Sequence, residues 1–195
     1  MPDTGSPRPV RYDRLPAARV PLLGFAAFSG TGKTTLLRQL IPLLNAAGLR
    51  VGLIKHAHHA FEVDHPGKDS YELRHAGATP VMLSASHRRA IITEHAEPAD
   101  PVLNEELAYF DQTAIDLVLV EGFKREAFPK VELHRPALGH PLLYPADDTI
   151  IALAADDASL LPPTIPQLDL NQPGQLCAFI LDRFLPAARD ALRLR

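Results

Sequence analysis

A chain of 195 residues, 46% hydrophobic and 22% charged, suits one compact globular domain with room for a real core. A formal net charge of -3 argues against a nucleic-acid binder, and a single cysteine, Cys177, excludes a disulfide framework or an all-cysteine zinc site within one chain. No apolar run approaches a bilayer span and residues 1–20 lack the apolar core of a secretory signal, so a cytoplasmic protein without membrane attachment is expected.

Residues 1–20, which mix Pro2, Pro7, Pro9 and Pro16 with Arg8, Arg11, Arg14 and Arg19, read as a flexible leader, and residues 21–195 as a single domain. The domain opens on an apolar run, Leu22, Leu23, Phe25, Ala26, Ala27 and Phe28, that predicts a buried strand. The run breaks into Ser29-Gly30-Thr31-Gly32 and then Lys33-Thr34-Thr35, after which Leu36, Leu37, Leu40, Ile41 and Leu44 recur at helical spacing. Pro42 is expected to kink that helix or cost it a hydrogen bond, and Gly48 to cap its end. Val51-Gly52-Leu53-Ile54 predicts a second buried strand, giving a βαβ unit with parallel pairing.

A polar loop follows, then a short helix over 70–75 stopped by Gly77, and two strands over 80–83 and 90–93 around a turn at 86–88. Residues 94–101 read as a surface loop and 102–110 as a helix with Leu103, Leu107 and Phe110 inward. Asp116-Leu117-Val118-Leu119-Val120-Glu121-Gly122 predicts a fully buried strand that delivers a carboxylate and a glycine at its carboxyl end. Further strands are expected over 131–134 and 149–154, a connection over 162–166, and a final helix over 175–185 with Leu176, Phe179, Ile180 and Phe184 on one side. This alternation argues for a three-layer α/β fold with a mainly parallel central sheet.

The strand–loop–helix around Ser29, Gly30, Thr31, Gly32, Lys33, Thr34 and Thr35 is the layout of a P-loop, so the single domain is expected to bind a nucleotide. Glycines let backbone N–H groups turn inward around an anion, and the following helix aims its positive end at the same point. Lys33 adds a full charge for the β- and γ-phosphates, and the Thr34 hydroxyl can ligate Mg²⁺. Ala27 stands where the usual pattern has its first glycine. Glu121 lies at a strand end where an acidic residue would hold the metal directly or through water; Asp64 and Asp69 are either further oxygen donors or solvated loop carboxylates, Asp69 alternatively a helix N-cap. Lys33 and Glu121 are the residues on which phosphate chemistry would depend. Lys55 and His56 leave the second strand at the edge where parallel sheets bind ligands. The cluster His56, His58, His59 and His65 is either a zinc or nickel site or a polar loop lining an anionic ligand.

The segments FAAFSGTGKTTLL, GLIKHAHH, DHPGKDSYELRHAGA and DLVLVEGFK, in this order, resemble the MobB family of GTP-binding proteins of molybdopterin guanine dinucleotide biosynthesis. The resemblance implies binding of GTP and Mg²⁺, slow hydrolysis, a homodimer, and partnership with molybdopterin and the guanylyltransferase of MobA type. It places the phosphates on Gly30 to Thr35, the metal on Thr34, Glu121 and Asp64, and Lys55 and His56 at the phosphates or the pterin. The N-K-x-D base reader is absent; Asp156, after a late buried strand, is either an acceptor for guanine N1 and N2 hydrogens or a simple loop-start aspartate. No general base for an attacking water is evident, which agrees with weak GTPase activity at most. A nickel or zinc chaperone GTPase, a small-molecule kinase and a non-catalytic nucleotide-binding adaptor are the competing readings.

Overall fold

Two apolar runs, Leu22–Ala26 (β1) and Leu117–Glu121 (β5), lie side by side and in parallel, with Leu22 opposite Val118 and Phe25 opposite Glu121. Burial of nearly every side chain in both runs puts them at the centre of the sheet, since only strands covered on both faces can be apolar throughout. The computed structural model describes residues 8–57, 61–157 and 164–194. Strands Val51–Lys55 (β2), Lys130–His134 (β6), Ile150–Ala155 (β7) and Gln167–Asp169 (β8) complete a six-stranded sheet of order β2-β5-β1-β6-β7-β8. Every pairing in it is parallel, so all the strands open their carboxyl ends at one edge.

The chain divides into two compact units, where the sequence was read as one domain: Ala57–Asp100 is one, and the residues before and after it form the other. The larger unit contains the six-stranded sheet. Its helix Lys33–Ala46 (α1) buries Leu36, Leu37, Leu40 and Leu44, and runs through Pro42 with one N–H fewer rather than breaking there. It ends as expected: Gly48 has φ 87°, its N–H reaches the Asn45 carbonyl at 2.9 Å, and the Leu49 N–H reaches that of Leu44 at 3.1 Å. Leu103–Tyr109 (α3) turns Leu103 and Leu107 into the core.

Three expectations are corrected by the larger unit. β1 and β2 are parallel but do not pair, because β5 lies between them. The all-apolar β5 needs neighbours on both sides, whereas β2 takes the edge of the sheet, where Leu53 is exposed and Lys55 reaches water. The expected flexible leader is anchored from Arg8 onward. Tyr12 and Leu15 are buried, the Tyr12 hydroxyl bonds the Leu22 backbone N–H and carbonyl at 3.0 and 2.9 Å, and Arg8 donates to the carbonyls of Tyr144, Asp147 and Ile150. The last helix is also longer than expected. Pro173–Phe179 (α4) leads through a π-turn at Ile180–Phe184 into Leu185–Arg193 (α5), and the missing N–H of Pro186 is absorbed by that widened turn.

The smaller unit has the short helix Asp69–His75 (α2) and an antiparallel hairpin of Val81–Ala85 (β3) and Arg88–Ile92 (β4). Asp64 is the one buried residue among those described there. Arg74 gathers Glu62, Asp64 and Glu94 around its guanidinium, so ion pairing organises this unit more than apolar burial does.

Gly24 of β1 is required by packing: a Cβ there would lie 2.6 Å from Phe128 Cε2, 2.9 Å from its Cζ and 3.0 Å from Lys130 Cγ. Gly24→Ala is expected to destabilise the chain by about 1–3 kcal/mol, the usual cost of overpacking, read as a lower urea midpoint at unchanged slope.

Candidate phosphate-binding site

After Ala26 the chain leaves the sheet through Ala27 and Phe28 into the loop Ser29 to Gly32. Gly30 and Gly32 have φ of 80° and 100°, a left-handed backbone that glycine adopts without steric cost. The Thr31 hydroxyl donates to the Phe28 carbonyl at 2.8 Å and closes the loop on itself. Gly32 caps α1, and the Leu36 N–H makes the first helical bond back to Gly32 at 2.9 Å. The N–H groups of Lys33, Thr34 and Thr35 therefore stand in the first turn, where no intrahelical acceptor exists. Ala27 is fully buried, and among the described residues Phe123 is the one non-glycine with a positive φ. Position 27 therefore does not require glycine, and the departure from the usual pattern costs the loop no backbone strain.

Register brings Lys55, Glu121 and Phe25 abreast on β2, β5 and β1. The Lys55 ammonium is 3.9 Å from Glu121 Oε2, and the His56 N–H donates to the Glu121 carbonyl at 2.8 Å. Gly122, with φ 97°, lets the chain turn against His56: a Cβ there would stand 2.5 Å from the His56 Cβ. The His56 ring lies 5.0 Å from that of Phe123. Lys33 reaches back toward the Ala27 carbonyl at 3.5 Å. Burial pushes its pKa below the ordinary lysine range, and the charges of Lys124 and Lys55 push the same way while Glu121 opposes them. Lys33, Glu121 and Lys55 thus share one electrostatic neighbourhood at the head of α1.

Two cations of this site were missed from sequence. Lys124 holds its ammonium 5.7 Å from the centre of the Phe28 ring, whose stacking partner is His140 at 4.3 Å. Arg135, one residue past β6, donates from Nε to the Thr31 carbonyl at 3.0 Å and from Nη1 to Asp156 Oδ2 at 2.7 Å. It ties the phosphate loop to the end of β7. Both cations follow strand ends at the same sheet edge as Glu121, and that position was the available signal. One oxygen of Asp156 is therefore committed to Arg135. Asp64 lies in the smaller unit, paired with Arg74 Nη2 at 2.9 Å, and Asp69 begins α2 there. His58 and His59 lie outside the described residues, and among those described no group of three or more metal-ligating side chains is assembled. Thr34 and Glu121 offer a hydroxyl and a carboxylate, hard oxygen donors suited to Mg²⁺ with waters and phosphate filling its other positions.

Residues 22–156 match the family described as MobB, molybdopterin guanine dinucleotide synthesis protein B. The molybdopterin-guanine dinucleotide biosynthesis adapter protein of Escherichia coli is 46% identical over 84% of this chain and 93% of its own length. That of Haemophilus influenzae is 44% identical over 83% and 88%. The crystal structure of Bacillus subtilis MobB covers 84% of this chain and 98% of its own at 22% identity, with a TM-score of 0.62, and so supports the fold. Among the described residues no helix is long and apolar enough to cross a membrane.

An anion held at the loop amides would favour the charged form of Lys33 and raise its depressed pKa again. Binding should therefore take up protons. Affinity for a nucleotide is expected to be complete below the depressed value and to fall as the pH rises toward the ordinary 10.5. Calorimetry in buffers of different ionisation heat measures that uptake, and Lys33→Arg should abolish it, because guanidinium stays charged throughout.

Proposed function

Since the chain belongs to the family of molybdopterin guanine dinucleotide synthesis protein B and acts in molybdenum cofactor biosynthesis, we propose that it does so as a GTP-binding adapter. The observation that carries the reading is the gathering of Lys55, Lys124 and Glu121 around Lys33 at the head of α1, with Lys55 3.9 Å from Glu121. Three cations and one carboxylate in this neighbourhood leave net positive charge where a triphosphate brings negative charge. The loop amides and Lys33 hold the phosphates, and Arg135 keeps the loop in shape through the Thr31 carbonyl. Thr34 and Glu121 would hold Mg²⁺, which supplies further charge to offset the phosphates when bound. Asp64 is left to its pair with Arg74. Guanine is the base of choice in this reading. Asp156, oriented by Arg135, accepts hydrogens from N1 and N2 of guanine, which adenine does not present in that way. No side chain at the site is assigned as a general base, so hydrolysis is slow and the bound state itself is the signal to the partner. That partner is the guanylyltransferase of MobA type together with molybdopterin, in the cytoplasm.

A homodimer is part of the proposal, and the smaller unit supports it. Met82 and Ile91 face each other across the hairpin with 59% and 57% exposure, and Phe61, Val63 and Leu73 are also exposed. So much apolar surface on a unit with little core of its own is suited to covering by a second copy.

Titration with GTP and with ATP, with and without Mg²⁺, tests the nucleotide. GTP with Mg²⁺ should bind tighter than ATP, and Lys33→Ala should weaken GTP by about tenfold or more through loss of a charge-assisted contact. Equal or better binding of ATP would overturn the guanine reading, and full affinity in Lys33→Ala would overturn the site. Sedimentation velocity tests the dimer: the double variant Met82→Lys and Ile91→Glu should sediment as a monomer where the parent is a dimer.

A further inference from the structure

A concavity of about 830 Å³ lies in the larger unit between the anchored N-terminal segment, the loop from β5 to β6 and the approach to β7. Its cations fall into two groups. Arg8 and Lys130 are consumed by the fold: Arg8 donates to three backbone carbonyls, and the buried Lys130 is held by Asp147 at 3.2 Å and the Thr149 hydroxyl at 2.6 Å. Arg11, Arg14 and Arg125 line the same wall, are exposed, and make no hydrogen bond or ion pair among the described residues. Lys124 joins them and is the cation that also stands beside Phe28 and Lys33. On the acidic side Asp147 pairs with Lys130, which leaves the charges of Asp13, Glu126 and Asp148 against those of Arg8, Arg11, Arg14, Lys124 and Arg125. A protein of net charge -3 thus holds an excess of cations in one concave place, largely at the amino ends of β1, β6 and β7, which Lys124 connects to the residues about Lys33. Guanidinium groups suit phosphate, since each offers a planar pair of donors to two oxygens. The size is that of a small-ligand site, and the concavity favours a small molecule over the flat surface of an acidic protein.

We propose that this cleft is a second anion site, distinct from the phosphate loop, that takes a phosphate-bearing small molecule on Arg11, Arg14 and Arg125, with Lys124 shared between the two sites. The proposal does not depend on which nucleotide the loop prefers. Lys124 is the one lining residue that also stands in the neighbourhood of Lys33, so one chain would hold two phosphorylated molecules with a single cation common to both sites.

Pyrophosphate without metal is the probe, titrated by calorimetry into the full chain, into Lys33→Ala, and into the triple variant Arg11→Gln, Arg14→Gln and Arg125→Gln. The parent should bind two equivalents and Lys33→Ala should keep one. The triple variant should lose that second site by about tenfold or more, the worth of a charge-assisted hydrogen bond, while its GTP affinity and melting temperature stay those of the parent. Loss of all pyrophosphate binding in Lys33→Ala, or two unchanged sites in the triple variant, would overturn the proposal. Capture of the parent by polyglutamate, with a single pyrophosphate site on the loop, would assign the cleft to an acidic macromolecule and overturn it equally. If the triple variant loses a site and Lys33→Ala loses none, the cleft stands and the phosphate-loop reading falls.

Discussion

Positive charge collected at the carboxyl edge of a parallel sheet is the constraint on which this structure turns. Lys33 opens α1, Lys55 ends β2, and Lys124 and Arg135 follow β5 and β6; two carboxylates, Glu121 and Asp156, stand among them. Lys55 and Arg135 are offset by their pairs with Glu121 and Asp156, while burial and the charges of Lys124 and Lys55 all disfavour the charged form of Lys33, which an anion would favour. The sheet beneath bears that cost. Leu22, Leu23, Leu117, Val118, Leu119 and Val120 are fully buried, and each contributes roughly 1.5–3 kcal/mol relative to exposure. Rigid strands in fixed register then hold the charges where an unconstrained chain would spread them.

Backbone geometry does the rest of the positioning. Gly30 and Gly32 curve the phosphate loop, and Gly122 turns the chain after Glu121 so closely against His56 that no side chain would fit. Phe123 continues that turn at φ 51°, a costly conformation for a bulky residue, and its buried ring keeps it there. Arg135 acts at a longer range. By bonding both the Thr31 carbonyl and Asp156, it makes the phosphate loop and the end of β7 mechanically dependent on one another.

The two units obey different physics. The larger is a conventional layered domain with a continuous apolar core, extended on β7 by a second cluster of Ala26, Tyr144, Ile150, Leu153, Ala155 and Ile165. The smaller is held by one half-buried arginine and three carboxylates, with Phe61, Val63, Leu73, Met82 and Ile91 exposed. A surface of that kind is more economical as half of an interface than as a free face, which is why the homodimer reading and the weak core belong together.

The sequence alone determined every strand but the short, half-buried β8, the glycine-rich loop, the α1 cap and the candidate roles of Lys33, Thr34, Glu121 and Lys55, because each rests on local periodicity or on a few adjacent residues. Glycine spacing and a lysine at a helix start act over a handful of bonds, and neighbours in sequence suffice to see them. Only the tertiary structure decided that β5 separates β1 from β2, that Arg8 and Tyr12 anchor the supposed leader, and that Asp64 pairs with Arg74. It alone joined Arg135 to Thr31 and Asp156, and Arg11 and Arg14 to Arg125. Those relations link residues far apart in the chain. They depend on which buried surfaces satisfy one another in three dimensions, a competition among strands and charges that no local pattern encodes.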